Sequence, residues 1–183
     1  EKDLSEAVKL YKQAVEGGSE DSMHNLGVCY QKGEGVEMDV AMAARLYRQA
    51  AAGGSADAAY RLGLCCEKGE GVEQDVAEAA RLCEQAAEGG SVDAMFYLAW
   101  CYTEGELVGK NLAEAARLYG QAAEGGSMGA MRNLGVCYAR GNGVEKDVVE
   151  AARLYRQAVE GGDEEAMYYL GACYARGEGV ERD

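Results

Sequence analysis

Acid–base or nucleophilic chemistry in this chain would have to be built around one histidine, His24, and seven cysteines. A nucleophilic pair needs a thiol and an imidazole within hydrogen-bond reach. The cysteine nearest His24 in sequence, Cys29, is five residues on and projects from a helix in another direction. The serines mostly fall where helix caps are required. Metal binding through two or more histidines is excluded by inventory, and Cys65 and Cys66, adjacent on one helix, diverge. The sequence therefore predicts no catalytic residue, no metal ligand and no cofactor. The carboxylates Glu34, Glu37, Glu70, Glu73, Glu178 and Glu181 gather at one loop edge. They read as a solvated, solubilising rim whose only alternative use is weak divalent-cation binding.

What the cysteines do reveal is a period. Five of them stand at 29, 65, 101, 137 and 173, spaced 36 residues apart, each inside a close copy of Leu26-Gly27-Val28-Cys29-Tyr30. A fixed repeat of this length marks a solenoid, in which each unit buries its apolar face against its neighbours. The expected organisation is one elongated domain, residues 1–183, of five units at 1–36, 37–72, 73–108, 109–144 and 145–180, cut from a longer array. Equivalent cysteines of successive units lie about a helix diameter apart, beyond the roughly 4.4–6.8 Å Cα separation of a disulfide. Cys66 and Cys83, which stand where other units carry tyrosines such as Tyr30 and Tyr47, are on two arms of one hairpin at unequal distances from its turn. Small buried free thiols are the expectation, which favours a reducing compartment such as the cytoplasm.

Each unit holds two helical stretches. In 40–54, Val40, Ala43, Ala44, Tyr47, Ala50 and Ala51 recur at three- and four-residue steps, the pattern of an amphipathic helix. Asp3, Asp39, Asp75, Asn111 and Asp147 are its caps. Glu6, Glu78, Glu114 and Glu150 three residues later predict a reciprocal capping box in every unit but that of Met42. Gly-Gly pairs at 17–18, 53–54, 89–90, 125–126 and 161–162 supply the left-handed conformation that ends it. The Leu-Gly helix follows at once, capped by Ser19, Ser55, Ser91, Ser127 or Asp163, and stops at Gly33, Gly69, Gly105, Gly141 or Gly177. A glycine inside that helix costs about 1 kcal/mol relative to alanine, so Gly27 and its counterparts imply a closely approaching partner helix. Arg45, Arg81, Arg117 and Arg153 form a basic column expected to pair with acidic neighbours. In Gly105-Glu106-Leu107-Val108-Gly109, Leu107 replaces a loop glycine, so that linker should turn differently.

With Lys+Arg 18 against Asp+Glu 32, the net charge of −14 would repel nucleic acid and anionic membrane surfaces. No apolar run approaches the roughly 18 residues of a membrane span. What remains is variation between copies. Positions equivalent to 24, 28 and 31 lie on one stripe of the Leu-Gly helix. They read His24, Tyr60, Phe96, Arg132 and Tyr168; Val28, Leu64, Trp100, Val136 and Ala172; and Gln31, Glu67, Thr103, Ala139 and Ala175. The chain's sole histidine, phenylalanine and tryptophan all fall there. Large aromatics and arginine are the side chains that anchor interfaces, although some could pack as core against the next unit. The column Asn25, Arg61, Tyr97, Asn133 and Tyr169 reads as rim or inter-unit contact.

Five registered copies of A-x-x-x-LG-x-C-Y-x-x-G-x-GV-x-x-D-x-x-x-A-x-x-Y-x-x-A-A-x-x-G, well shown from Ala58 to Gly90, resemble the Sel1-like repeat, a relative of the tetratricopeptide repeat. The resemblance implies an all-α, right-handed superhelical solenoid of antiparallel helix pairs and a non-enzymatic adaptor. Its Leu-Gly helices would line a concave surface that holds a protein or peptide. His24, Val28, Tyr60, Leu64, Phe96, Trp100, Thr103, Arg132, Val136 and Tyr168 are the contacts so implied, and the acidic charge favours a basic partner. Alternatives are a spacer, or self-association end to end through uncapped terminal helices. The resemblance extends to cysteine-rich Sel1-like proteins credited with binding β-lactams, whose paired-cysteine arrangement this chain lacks.

Overall fold

A computed structural model describes residues 3–180. Glu181, placed by the sequence in the acidic loop edge, lies outside them. The described residues form ten α-helices of 13 residues each: α1 (Leu4–Glu16), α2 (Glu20–Lys32), α3 (Val40–Ala52), α4 (Ala56–Lys68), α5 (Val76–Glu88), α6 (Val92–Glu104), α7 (Leu112–Glu124), α8 (Met128–Arg140), α9 (Val148–Glu160) and α10 (Glu164–Arg176). None is long and apolar enough to cross a membrane. The chain divides into two compact units, Glu1–Ala94 and Met95–Asp183. Within the first, α1 packs on α2, α2 on α3, α3 on α4 and α4 on α5. Within the second, α7 packs on α8, α8 on α9 and α9 on α10. Contact between chain neighbours is the pattern of an all-α solenoid.

The caps are as the sequence predicts. Asp3, Asp39, Asp75, Asn111 and Asp147 accept from the backbone N–H three residues on, and Asp39 does so although Met42 replaces the glutamate. The reciprocal half of the capping box is replaced. Both carboxylate oxygens of Glu78, Glu114 and Glu150 accept instead from the guanidinium of Arg81, Arg117 and Arg153, one turn on. The N–H of the cap residues Asp75, Asn111 and Asp147, like that of Asp39, already donates to the carbonyl nine residues back, which leaves the glutamate free to take the arginine fork. The Gly-Gly ends also divide their work: Gly53 is right-handed and only Gly54, at φ 106°, is left-handed.

Two close approaches fix the packing. In the Leu-Gly helices, a Cβ on Gly27 would lie 2.6 Å from Tyr47 Cε1, and one on Gly135 would lie 2.6 Å from Tyr155 Cε1. The tyrosine of the next helix occupies the space a side chain would need, and Tyr47 and Tyr155 are correspondingly buried. Where that tyrosine is Cys83, a Cβ on Gly63 would meet its Sγ at 3.0 Å. In the linkers, a Cβ on Gly71 would come within 2.1 Å of the Val40 carbonyl oxygen, and one on Gly143 within 2.0 Å of that of Leu112. Leu107, at the equivalent linker position, has φ 61°, the one non-glycine residue with positive φ among those described. The altered turn expected there is therefore a left-handed leucine.

Candidate partner-binding surface

The variable stripe is not a uniform free surface, because its members meet the tyrosine of the following helix to different degrees. In the first unit His24 is half-buried, its ring centroid 5.9 Å from that of Tyr47. Its Nε2 is buried with no hydrogen-bond partner among the described residues. Burial lowers the His24 pKa, and the Arg61 charge acts in the same direction against Asp57, Asn25 and Asp21. Gln31, on the same stripe, accepts a hydrogen bond from the Tyr47 hydroxyl at 2.9 Å. Val28, Tyr60 and Leu64 are half-buried, and the Arg61 guanidinium lies 5.9 Å from the Tyr60 ring.

In the second unit the stripe is more varied. Phe96 is half-buried, 5.9 Å from the Tyr119 ring. Thr103 donates to the Ala99 carbonyl at 2.9 Å and, with Asn133, hydrogen-bonds Tyr119. Arg132 is committed: its Nε reaches both oxygens of Asp163 at 3.2 and 3.1 Å, and its Nη1 reaches Glu165 at 2.8 Å. Phe96 and Arg132 come together over Gly129, whose missing Cβ would lie 3.4 Å from the Phe96 ring and 3.8 Å from Arg132 Nη2. Val136 and Tyr168 share a cleft of about 210 Å³ with Tyr155 and Ala172. Tyr168 is 75% exposed and edge-on to Tyr169, which stacks on Tyr155 at 5.2 Å. Trp100 is 38% exposed, its ring 6.0 Å from that of Tyr97.

The sequence reading missed the partners of Arg132. A signal was available: Asp163 is the aspartate that caps a Leu-Gly helix where the other units use serine. Tyr97 and Tyr169, assigned to rim or inter-unit contact, are the supports on which Trp100 and Tyr168 rest. All seven cysteines are free thiols, Cys66 and Cys83 included. Burial pushes the Cys65 pKa up to about 11 and raises that of Cys137, which makes both poor nucleophiles. Among the described residues no group of three His, Cys, Asp or Glu side chains could hold a metal ion.

The Sel1 repeat family profile matches residues 1–19, 20–55, 56–91, 92–127, 129–163 and 164–183. It finds six segments, the outer two of about half length, because its phase starts at the Leu-Gly helix. A Sel1 repeat protein from Oxalobacter formigenes is 34% identical, with TM-score 0.83, over 90% of this chain and 67% of its own. A protective antigen present in uropathogenic Escherichia coli strains is 36% identical, with TM-score 0.86, over 96% of this chain. The chain spans only 38% of that antigen's length. Cysteine-rich protein B of Helicobacter pylori, at 21% identity and TM-score 0.57 over 72% of this chain and 98% of its own, shares the fold. Among curated protein sequences none matches. The chain belongs to the Sel1 repeat family.

Proposed function

We propose that this Sel1 repeat chain is a non-catalytic scaffold that binds a protein or peptide through the stripe of its Leu-Gly helices. Sel1 repeat proteins are generally protein-interaction scaffolds. The observation that carries the finer reading is Trp100, the chain's one tryptophan, held 38% exposed against Tyr97. A large aromatic left partly in water gains most when a partner covers it. In the second unit Phe96 and Thr103 flank it on α6, while Val136 and Tyr168 line a second cleft whose walls also carry Arg140, Arg176 and Glu178. Arg132 serves by fixing the α8–α10 geometry, since its guanidinium is already held. In the first unit His24, Val28, Tyr60 and Leu64 present the corresponding half-buried patch. The net charge of −14 selects a partner with basic character.

The test is affinity capture from native lysate with the wild-type chain and Trp100→Ala in parallel, followed by titration of the recovered partner against tryptophan fluorescence. Loss of that partner with the melting temperature kept supports the reading; an unchanged capture set and unmoved fluorescence refute it. A second reading, self-association, is favoured by the open faces of α10 and α1, where Met167, Tyr174 and Leu10 are 53%, 53% and 57% exposed. Light scattering over a concentration series decides it, and a strict monomer excludes it.

A further inference from the structure

One cleft outside the stripe is open because a single side chain is missing. In three copies a long cationic side chain stands 18 residues before the position of the Leu-Gly helix tyrosine, Lys12 before Tyr30, Arg48 before Cys66 and Arg156 before Tyr174, while Glu84 stands before Tyr102. Lys12 Nζ lies 5.7 Å from the Tyr30 ring centroid, and the Arg156 guanidinium reaches the Tyr174 hydroxyl at 3.4 Å. The residue 18 before Tyr138 is Gly120, in the interior of α7, and a Cβ there would meet nothing within 4 Å. Between α7 and α9 this leaves a cleft of about 700 Å³ with Met131, Leu134 and Tyr138 among its lining residues. Leu134 is only half-buried there, whereas Leu26 and Leu62 at the equivalent position are 3% and 4% exposed.

We propose that this cleft is a docking seat for an arginine or lysine side chain of a partner protein, laid over Tyr138 as Lys12 lies over Tyr30 in the first repeat. A cationic head over a tyrosine ring, with its aliphatic stem on apolar surface, is a matched ligand for such a floor. The rim does not repel it. Arg117 and Arg153 are paired with Glu114 and Glu150, with Gln121 and Gln157 each accepting from an Nη1, and Glu124 adds another carboxylate. The seat uses Met131, Leu134 and Tyr138 of α8, not the stripe residues Arg132 and Val136, so it stands or falls apart from the Trp100 surface.

The probe is N-acetyl-arginine methylamide, with its neutral citrulline counterpart as control, titrated into the full 183-residue chain. NMR follows the Tyr138 ring and Leu134 methyl resonances. The arginine compound should move both and the citrulline compound, at equal concentration, should not. Gly120→Ala, which leaves the seat open, should keep the response. Gly120→Arg supplies the cation in cis and should weaken binding by roughly fivefold or more. That variant should melt higher than wild type, since arginine is the better helix former, so a lost response cannot be laid to unfolding. An equal response to citrulline, no response to arginine, or a full response in folded Gly120→Arg would overturn the proposal.

Discussion

Alanine placed at two equivalent glycines should move stability in opposite directions. Gly135 and Gly171 occupy the same position of α8 and α10, and each costs its helix about 1 kcal/mol relative to alanine. At Gly171 a Cβ meets nothing within 4 Å, so Gly171→Ala should recover about 0.5–1 kcal/mol. At Gly135 the same Cβ lies 2.6, 2.9 and 3.2 Å from Cε1, Cδ1 and Cζ of Tyr155. Overpacking of this kind costs about 1–3 kcal/mol, and the buried tyrosine cannot swing away as an exposed side-chain end could. The propensity gain offsets part of this, leaving Gly135→Ala destabilised by about 1–2 kcal/mol. For a chain of this length that is a fall of about 2–8 °C, against a rise of up to about 4 °C for Gly171→Ala. Ala99, fully buried in the equivalent position, shows that one methyl can be accommodated, which sets the upper end of the cost. Gly63→Leu, confronting Cys83 Sγ at 3.0 Å and the Ala79 carbonyl oxygen at 3.3 Å, should lose about 3 kcal/mol. Urea titrations followed by circular dichroism at matched pH give the differences. If Gly135→Ala and Gly171→Ala shift the midpoint equally and in the same direction, close approach of the tyrosine is not what holds glycine in this helix.

Two further outcomes follow from local geometry. His24 keeps an unpartnered, buried Nε2, and its folded-state pKa lies below the ordinary 6.5. The neutral form is thus the stabilising one: its contribution is complete above pH 6.5 and is lost as pH falls through the lowered value, where the folded chain must bury a charge. The difference in melting temperature between wild type and His24→Tyr, the residue found at Tyr60, should therefore change below pH 6.5 and stay flat above it; a difference independent of pH refutes the assignment. Leu107 holds a left-handed φ of 61°, which costs a side-chain-bearing residue about 1–2 kcal/mol. Leu107→Gly should stabilise by about 0.5–1 kcal/mol once the extra freedom of glycine in the unfolded chain is subtracted, and a loss of stability in urea would show that its half-buried side chain matters more.

The repeat length, the helices and their caps were legible in the residues because each is set within a few positions. Asp39 caps α3 whether or not a glutamate follows, since the bond to the Met42 N–H needs only local backbone. The reciprocal half of the capping boxes was not legible because the cap's own N–H is taken by a carbonyl nine residues back, as Asp75 N–H is by Cys66, and the pattern Glu78-x-x-Arg81 specifies an ion pair as well as it specifies a box. The stripe was legible as a set of positions but not as an environment. Whether His24 or Phe96 faces water depends on Tyr47 and Tyr119, 23 residues further along the chain. Arg132 shows the same limit, since its partner Asp163 is 31 residues away and was visible only as a changed cap.

That dependence ranks the stripe. At the position of His24 and Phe96 the next helix's tyrosine takes one side of the ring, so variation there is constrained by packing as well as by any partner. Tyr168 is 75% exposed and set edge-on against Tyr169. Position 28 is different. Val28, Leu64 and Val136 are half-buried aliphatic residues in the same setting, and Trp100 is the copy that outgrows it, remaining 38% exposed although its neighbours Ala99 and Cys101 are fully buried. Packing within the repeat does not require an indole there, since valine or leucine serves in the other units. Of the ten residues expected to contact a partner, Trp100 is therefore the one whose identity packing explains least.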